Sequence, residues 1–221
     1  MQNKLIIFGV EDVVELANFY FSKYTDFKVE ALCIDERFMK ETNKFGLPII
    51  SFPEVCKLYS PRDIYFFVAL GYSKVNEIRK NKYDLIKNLG YRLASFISPK
   101  ANIFSKSNIG ENTFILENNT IQPFVHIGNN VTLWSGNHIG HHSNISDHCF
   151  ISSQVVISGR VVVEEQCFLG VNSTIRDHLL IGKKSVIGAG SLILSDVKPN
   201  SVYKGNETKP RIISSLRMSK I

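Results

Sequence analysis

The sequence predicts a small α/β domain followed by a parallel β-helix. In the first ninety-odd residues, short β-branched runs alternate with stretches of helical periodicity. That alternation is typical of a small parallel sheet, because parallel strands need crossover connections. From Ile97 onward, an aliphatic residue recurs at every sixth position without interruption. Neither a helix nor a simple alternating strand produces that spacing.

The amino-terminal part contains three predicted strands, at 4–9, 29–35 and 63–71, and two predicted helices, at 13–24 and 74–89. Ligands of open parallel sheets bind beyond the carboxyl ends of the strands. We therefore expect a ligand to contact the residues at those strand ends, which are Gly9, Asp35, Ala69, Leu70, Gly71 and Tyr72.

The turn after the first predicted strand lacks a dinucleotide fingerprint. It reads GVEDV, not G-x-G-x-x-G. Gly9 is explained equally well as a residue that allows a tight turn. Both interpretations of Gly9 stay open.

Seventeen consecutive hexads run from Ile97 to Ile193. Four positions after each aliphatic the residue is usually small or apolar, and glycine often follows the aliphatic directly. This pattern predicts a β-helix in which each hexad forms one flat face, three faces close an eighteen-residue coil, and the aliphatic points inward. Cys149 and Cys167 lie eighteen residues apart, so we expect them to stack as buried, inert thiols.

Composition and charge exclude several classes of function. The hydrophobic fraction is 44%, and no apolar run is long enough to cross a bilayer, so membrane insertion is not expected. Acidic residues interrupt the amino-terminal apolar stretch, which argues against a signal peptide and for the cytoplasm. The net charge of +6 suits a phosphorylated ligand, and no nucleic-acid-binding motif accompanies it. The four cysteines show no metal-ligand spacing.

Three segments of the β-helix carry a more specific signal: WSGNHIGHHSNISDHCFISSQVVISG at 134–159, FLGVNSTI at 168–175 and IGAGS at 187–191. They resemble the bacterial sugar-nucleotide acyltransferases, which include GDP-perosamine N-acetyltransferases, UDP-4-amino-sugar N-acetyltransferases and sialic acid O-acetyltransferases. Those proteins also begin with a small Rossmann-like domain. The resemblance implies a left-handed β-helix, an exception to right-handed crossovers. The change of pattern near Ile97 predicts domains at 1–95 and 96–198, and the open end of the repeat predicts a C-terminal cap at 199–221.

The same resemblance implies a homotrimer with active sites between adjacent β-helices. The amino-terminal domain would hold a nucleotide sugar, and acetyl-CoA would lie along the groove between subunits, with no metal. The implied reaction is acetylation of the amino group of a nucleotide-linked amino-deoxy sugar, such as a 4-amino-4,6-dideoxy sugar. The product would serve a surface glycan such as an O-antigen.

Two residues match the chemical requirements of this reaction. The attacking amine must lose a proton, so a neutral base with a pKa near the working pH is needed. The tetrahedral intermediate carries an oxyanion that a backbone N–H can stabilise. By resemblance His141 is the base, and Gly159 is the oxyanion donor. Gly159 lies eighteen residues after His141, which predicts a position one coil above it.

His142 departs from the family pattern. Relatives usually follow the base with Asp or Glu, which orients the imidazole. Either His142 orients His141 by a hydrogen bond, or an acid from elsewhere, another subunit included, does so.

Further residues match family positions with less specificity. The residues expected along the CoA groove are Gly159, Gly170, Val171, Asn172, Gly188 and Ala189, since small residues let the pantetheine arm approach the backbone. The residues expected near the sugar are Trp134, Asn137 and His138, although Trp134 and His138 suit the subunit interface equally well. Basic residues available for the CoA phosphates are Lys183, Lys184, Lys198, Lys204, Lys209 and Arg211. At the fourth position of their hexads, His148 and His178 are expected to face solvent.

Three alternatives remain. A γ-type carbonic anhydrase on this fold needs two zinc-binding histidines five residues apart, and no pair among the six histidines has that spacing. A non-enzymatic β-helix binding module needs neither an amino-terminal nucleotide domain nor the histidine-rich block. O-acetylation of a sugar hydroxyl uses the same base and thioester. The nucleotide-type domain favours a nucleotide-linked amino sugar.

Overall fold

A computed structural model describes residues 3–104, 107–205 and 207. Most of the expected C-terminal cap, including Lys209 and Arg211, therefore lies outside the described residues. None of the helices in the described ranges is long and apolar enough to cross a membrane.

The amino-terminal region is a six-stranded sheet with helices between its strands. Its elements are β1 (Asn3–Phe8), α1 (Asp12–Tyr24), β2 (Phe27–Ile34), a 3₁₀ turn (Glu36–Phe38), β3 (Asn43–Lys44), β4 (Leu47–Ser51), α2 (Phe52–Leu58), β5 (Ile64–Val68), α3 (Glu77–Asn88) and β6 (Arg92–Leu93). The strand order is β3-β4-β2-β1-β5-β6, and every pair except β3 with β4 is parallel. The predicted alternation is confirmed, but β4 and α2 were not predicted.

The central strand β1 is buried on both sides. Leu5 and Ile7 pack with α1 in one cluster, whereas Ile6 and Phe8 pack with α2 and α3 in another. Successive side chains of a strand point to opposite faces, so a continuous apolar run suits a strand covered by helices on both sides. This explains why the run KLIIF forms the centre of the sheet.

From β7 onward the chain coils into three parallel sheets, here called faces 1, 2 and 3. Face 1 comprises β7 (Phe96–Ile97), β10 (Phe114–Ile115), β13 (Thr132–Leu133), β16 (Phe150–Ile151), β19 (Phe168–Leu169), β22 (Val186–Ile187) and β24 (Val202–Tyr203). Face 2 comprises β8 (Asn102–Ile103), β11 (Thr120–Ile121), β14 (His138–Ile139), β17 (Val156–Ile157), β20 (Thr174–Ile175) and β23 (Leu192–Ile193). Face 3 comprises β9 (Asn108–Ile109), β12 (His126–Ile127), β15 (Asn144–Ile145), β18 (Val162–Val163) and β21 (Leu180–Ile181). These stacked parallel sheets fit the left-handed β-helix that the resemblance implies.

The aliphatic ladder forms the interior of the β-helix. From Ile115 to Ile193 every member of the ladder is at most 3% exposed. Ile97 is 39% exposed because the first coil has no coil beneath it. Cys149 and Cys167 are wholly buried, which confirms their predicted position in the core.

Each coil turns its corners through a residue with positive φ. These residues recur every six positions from Asn112 to Gly190, with φ between 51° and 78°. Asn, His and Gly adopt this left-handed conformation more readily than most residues. His142, His148 and His178 therefore share one backbone position on different corners.

The corners stack into three edges. Edge 1–2 joins face 1 to face 2, edge 2–3 joins face 2 to face 3, and edge 3–1 joins face 3 to face 1. The amino-terminal region packs on face 1, where Phe96 and Phe114 join the cluster around α1. Further along face 1, the Tyr72 ring lies 4.9 Å from that of Phe150 and 4.6 Å from that of Phe168, between centroids.

Candidate active site

His141 lies exposed on edge 2–3, beside Gly159 on the next coil. The backbone N–H of Arg160 donates to the carbonyl of His141 over 2.9 Å, which holds the two coils in register. A Cβ added to Gly159 would lie 2.8 Å from Cε1 and 2.9 Å from Nε2 of His141. Only glycine leaves room for the imidazole, so the eighteen-residue spacing brings His141 and Gly159 together as predicted.

Other glycines of the β-helix have a different neighbour. A Cβ on Gly170 would lie 2.7 Å from the backbone nitrogen of Ala189, and one on Gly188 would lie 2.7 Å from the carbonyl of Tyr203. These two glycines are required by the backbone of the next coil. Gly159 instead makes space for the ring of His141.

The backbone N–H groups of His141 and Gly159 differ in their hydrogen bonds. The His141 N–H donates to the Gln122 side-chain oxygen over 2.9 Å. Within the described part of the chain, the Gly159 N–H donates no hydrogen bond. A free N–H therefore lies next to the imidazole, which is the arrangement an oxyanion donor requires.

His142 is the hydrogen-bonding partner of His141. Their Nδ1 atoms are 3.1 Å apart, and the two rings are nearly perpendicular, at 87°. The His142 ring also lies against that of Phe124, with centroids 4.6 Å apart. In the described parts of the adjacent coils, this edge carries no carboxylate at 122–125 or 158–161. Within this chain, His142 therefore makes the hydrogen bond to His141 that the first alternative requires.

The expected CoA residues lie on a different edge from His141. Gly170, Val171, Asn172, Gly188 and Ala189 all stand on edge 1–2, and Val171, Asn172 and Ala189 are exposed there. Face 2 separates them from His141 within one chain. Of the basic residues considered for CoA, Lys204 lies near Gly188, whereas Lys183, Lys184 and Lys198 lie on edge 3–1.

The three residues expected near the sugar have different surroundings. Trp134 is half-buried in the cluster around α1, and its Nε1 is buried without a hydrogen-bond partner among the described residues. Asn137 is 1% exposed, and its amide bonds the backbone of Trp134 and Val155, which places it out of reach of a sugar. His138 is half-buried on face 2, between Thr120 and Val156.

A cavity of about 440 Å³ lies at the carboxyl ends of β1, β2 and β5. Gly9, Asp35 and Leu70 line it, as expected from the strand ends. Gly9 has φ +130°, and a Cβ there would lie 2.8 Å from the carbonyl of Ala69. Gly9 therefore both allows the tight turn and forms part of the cavity wall. Ala69 is buried, and neither it nor Gly71 nor Tyr72 lines the cavity, contrary to the expectation for these strand-end residues.

Lys82 is a cavity residue that the sequence did not reveal. Its Nζ lies 2.6 Å from Oδ1 of Asp35 and over the rings of Phe8 and Phe52, at 4.6 and 5.0 Å from their centroids. Its side chain is only 12% exposed. Lys82 comes from α3, so no motif near Asp35 could have indicated it.

His148 faces the interior of the molecule, which corrects the expectation that it faces solvent. The Val68 N–H donates to Oδ1 of Asn112, whose Nδ2 donates to Oδ1 of Asn130, over 2.8 and 2.7 Å. Nδ2 of Asn130 is 2.9 Å from Nδ1 of His148. Because the backbone N–H can only donate, the direction of this ladder makes Nδ1 of His148 an acceptor. His178 is exposed, as expected.

Arg79 covers His148 and joins α3 to face 1. Its guanidinium donates to Oγ1 of Thr132 over 2.7 Å and to the carbonyls of His148 and Cys149 over 3.0 and 3.1 Å. Burial lowers the pKa of Arg79 to about 10 and lowers the pKa of His148. No motif in the sequence indicates this contact, because α3 and edge 3–1 meet only in the folded chain.

The family can be identified from the carboxyl-terminal half. The sequence pattern of the family described as GMPPB C-terminal domain matches residues 92–202, half of the chain. The chain belongs to this family. The matched range runs from β6 into β24 and so covers the β-helix. No curated protein matches the chain as a relative. Among the described residues, no group of three or more His, Cys, Asp or Glu side chains is arranged to hold a metal.

Solved structures resemble the chain over nearly its whole length. The acetyltransferase domain of PglB from Neisseria gonorrhoeae, in complex with acetyl coenzyme A, is 20% identical, with a TM-score of 0.83 over 96% of this chain and 100% of that one. A mutant of perosamine N-acetyltransferase from Caulobacter crescentus, in complex with CoA and GDP-perosamine, is 18% identical, with a TM-score of 0.81 over 93% and 95%. WeeI from Acinetobacter baumannii is 18% identical, with a TM-score of 0.75 over 91% and 96%. These structures confirm the resemblance to sugar-nucleotide acyltransferases at the level of the fold.

Proposed function

We propose that the protein is an acetyl-CoA-dependent N-acetyltransferase whose acceptor is the amino group of a nucleotide-linked amino-deoxy sugar. The observation that carries this proposal is the contact between the His141 imidazole and Gly159. It combines a base, a hydrogen-bonding partner for that base, and an unused backbone N–H at one exposed point. The complexes of the similar PglB domain and perosamine N-acetyltransferase with acetyl coenzyme A or CoA support the choice of acyl donor.

The proposed reaction is a direct attack. Nε2 of His141 accepts a proton from the amine as the nitrogen attacks the thioester carbonyl. The Gly159 N–H donates to the oxygen that becomes negative in the tetrahedral intermediate. Collapse of the intermediate breaks the C–S bond and leaves an amide and CoA.

The nucleotide part of the acceptor would occupy the cavity at the end of the amino-terminal sheet, which we propose is a Rossmann-like nucleotide-sugar-binding domain. Gly9 and Leu70 form its walls, and the Asp35–Lys82 pair supplies a fixed carboxylate and a cation. GDP-perosamine, bound by the similar Caulobacter enzyme, belongs to this class of acceptor. Asn137 and Ala69 are not part of the proposed acceptor site, because both are buried. His138 and Trp134 remain candidates for contact with the sugar.

The acetyl-CoA groove would use edge 1–2 of a neighbouring subunit. The exposed small residues of that edge, Val171, Asn172 and Ala189, suit an extended pantetheine arm. Since face 2 separates them from His141 in one chain, a site that uses both edges needs a second copy. This requirement supports the proposed homotrimer with active sites between β-helices.

We further propose domain limits at 1–95, 96–198 and 199–221, a cytoplasmic location, and a role in surface glycan synthesis. Acetyl-CoA and nucleotide sugars are phosphorylated substrates, which suits the net charge of +6.

Thiol release from acetyl-CoA tests the proposed reaction. The protein is incubated with a panel of UDP-, dTDP- and GDP-linked 3-amino and 4-amino sugars. Release with one member, and none with its hydroxyl counterpart, is the expected result. Release with the hydroxyl sugar alone would identify an O-acetyltransferase. If no acceptor causes thiol release and the protein does not bind CoA, the β-helix is a non-enzymatic binding module.

Asp35→Ala tests the proposed acceptor cavity separately. Loss of the carboxylate that holds Lys82 is expected to raise the KM for the nucleotide sugar about tenfold, while the KM for acetyl-CoA stays unchanged. Glu41→Ala, on the rim of the same cavity and without a contact to Lys82, is the matched control. An unchanged acceptor KM in Asp35→Ala would contradict the nucleotide role of the cavity.

A further inference from the structure

His142 stands where a hydrogen-bonding acid is expected, and it differs from an acid in one chemical respect. A carboxylate with a pKa near 4 accepts a hydrogen bond from an imidazole but does not readily take its proton. An imidazole has an ordinary pKa near 6.5, so a proton passes between two imidazoles at little cost. We propose that His142 is a proton relay, which takes a proton from Nδ1 of His141 and releases one from its own Nε2 to water. This inference rests on the proposed function.

The geometry fixes which nitrogen carries which proton before reaction. His141 needs the lone pair of Nε2 on the Gly159 side, so its proton must sit on Nδ1. That proton points to Nδ1 of His142, 3.1 Å away, which must accept. His142 consequently carries its own proton on Nε2, on the side of its ring away from His141.

The amine nitrogen bonds to the carbonyl carbon, its proton moves to Nε2 of His141, and the C–S bond breaks with the electron pair on sulfur. The Nδ1 proton of His141 then moves to Nδ1 of His142, and the Nε2 proton of His142 leaves to water, where it neutralises the CoA thiolate. After the products leave, Nε2 of His141 gives its proton to water, the Nδ1 proton of His142 returns to Nδ1 of His141, and Nε2 of His142 takes a proton from water. The starting tautomers are then restored.

The residues around His142 favour release of its proton to water. Gln122 and Phe124 lie on the coil below, and Gly159 and Arg160 lie on the coil above. Arg160 is exposed and occupies the corner position next to that of His142. These neighbouring positions of the edge, 122–125 and 158–161, carry no carboxylate that could hold a proton on His142. On this edge the nearest carboxylate in the described residues is Asp177, two coils from His141, and it lies 3.8 Å from Nδ1 of His178.

The Nε2 side of His141 is where the amine and the thioester would lie under the proposed function, and there they would keep water from Nε2 during the reaction. Nδ1 is the other nitrogen, and His142 is its hydrogen-bonding partner. His142 is itself exposed and held by its corner conformation, φ 58°, and by the ring of Phe124.

His142→Asn separates relaying from positioning. Asparagine adopts positive φ readily, and its side-chain oxygen can accept the His141 Nδ1 proton in a hydrogen bond, but it cannot pass a proton on. We expect kcat to fall roughly tenfold with an unchanged acceptor KM, and added imidazole to restore the rate in proportion to its concentration. His178→Asn, at the same corner position on the same edge, is the matched control and should behave as wild type.

Wild-type kcat in His142→Asn, without a response to imidazole, would overturn the relay and leave His142 a positioning residue only. A second measurement does not depend on turnover. Nitrogen NMR of the free protein should show His141 protonated at Nδ1 and His142 at Nε2, and the opposite pair of tautomers would also overturn the relay. If the wild-type protein acetylates no acceptor, the proposed function fails, but these spectra still report on the pair.

Discussion

His142 and His148 occupy the same backbone position on consecutive corners of one coil, with φ values of 58° and 64°, yet their environments are opposite. His142 is exposed on edge 2–3 and bonds another imidazole. His148 is 5% exposed on edge 3–1, beneath Arg79 and the ring of Tyr83. The repeat fixes the conformation of both residues. The element packed against each corner decides what its imidazole can do.

This comparison predicts a separation of effects between the two edges. Changes at His141 and His142 on edge 2–3 should alter the reaction rate and leave stability unchanged, because both side chains are exposed. Changes at His148 or at Arg79, which packs on it, should alter stability and leave the rate per folded molecule unchanged, because this contact joins the amino-terminal region to the β-helix.

His141→Ala is expected to have the largest effect. Loss of a positioned general base should lower kcat by roughly two to four orders of magnitude. The thermal midpoint and the oligomeric state should match wild type, since the side chain is exposed. Steady-state kinetics and thermal unfolding of His141→Ala and His178→Ala together check this. Near-wild-type turnover would remove His141 from the mechanism.

Arg79→Met is the corresponding change where α3 packs on edge 3–1. It leaves Thr132 and two buried carbonyls without their charged donor, so the free energy of unfolding should fall by about 3 kcal/mol. The specific activity of the folded fraction should remain. Denaturant titration measures the loss, with Lys80→Met, the next residue of α3, as the control. Equal stability of the two variants would mean that Arg79 does not hold the amino-terminal region in place.

Gly159→Ala tests the contact between the two coils of edge 2–3. The added Cβ would displace the His141 ring, and a displacement of about 1 Å can lower kcat roughly 100-fold. Gly170→Ala makes an informative contrast, because its Cβ meets backbone and should reduce stability. If Gly159→Ala kept full activity, the ring position seen here would not be the reactive one.

The smallest effect concerns the pH dependence of stability. Burial lowers the pKa of His148 below its unfolded value near 6.5, so below that pH the unfolded chain binds more protons than the folded one. Stability should therefore fall as pH drops below about 6.5. His148→Gln keeps an acceptor for Asn130 and should flatten that slope, whereas His178→Gln should not. Urea titrations at several pH values measure both slopes.

The repeat made the β-helix predictable, since its six-residue period appears in the sequence itself. The stacking of His141 on Gly159 followed from the same arithmetic, and the strand ends correctly indicated Gly9 and Asp35 as cavity residues. The positions of Lys82 and Arg79 did not follow, because α3 brings them to partners distant in the sequence. The burial of His148 did not follow for the same reason. Its position in the hexad predicts that the side chain points outward from the β-helix, but not that α3 packs against it.

The most direct test of the proposed acetyl transfer identifies the atom that carries the acetyl group. Wild-type protein is incubated with carbon-13-labelled acetyl-CoA and the acceptor found in the panel, and the product is examined by NMR. We predict an amide, in which the labelled carbonyl carbon correlates with the N–H proton of the sugar. An ester on a sugar hydroxyl, or no labelled sugar at all, would contradict it.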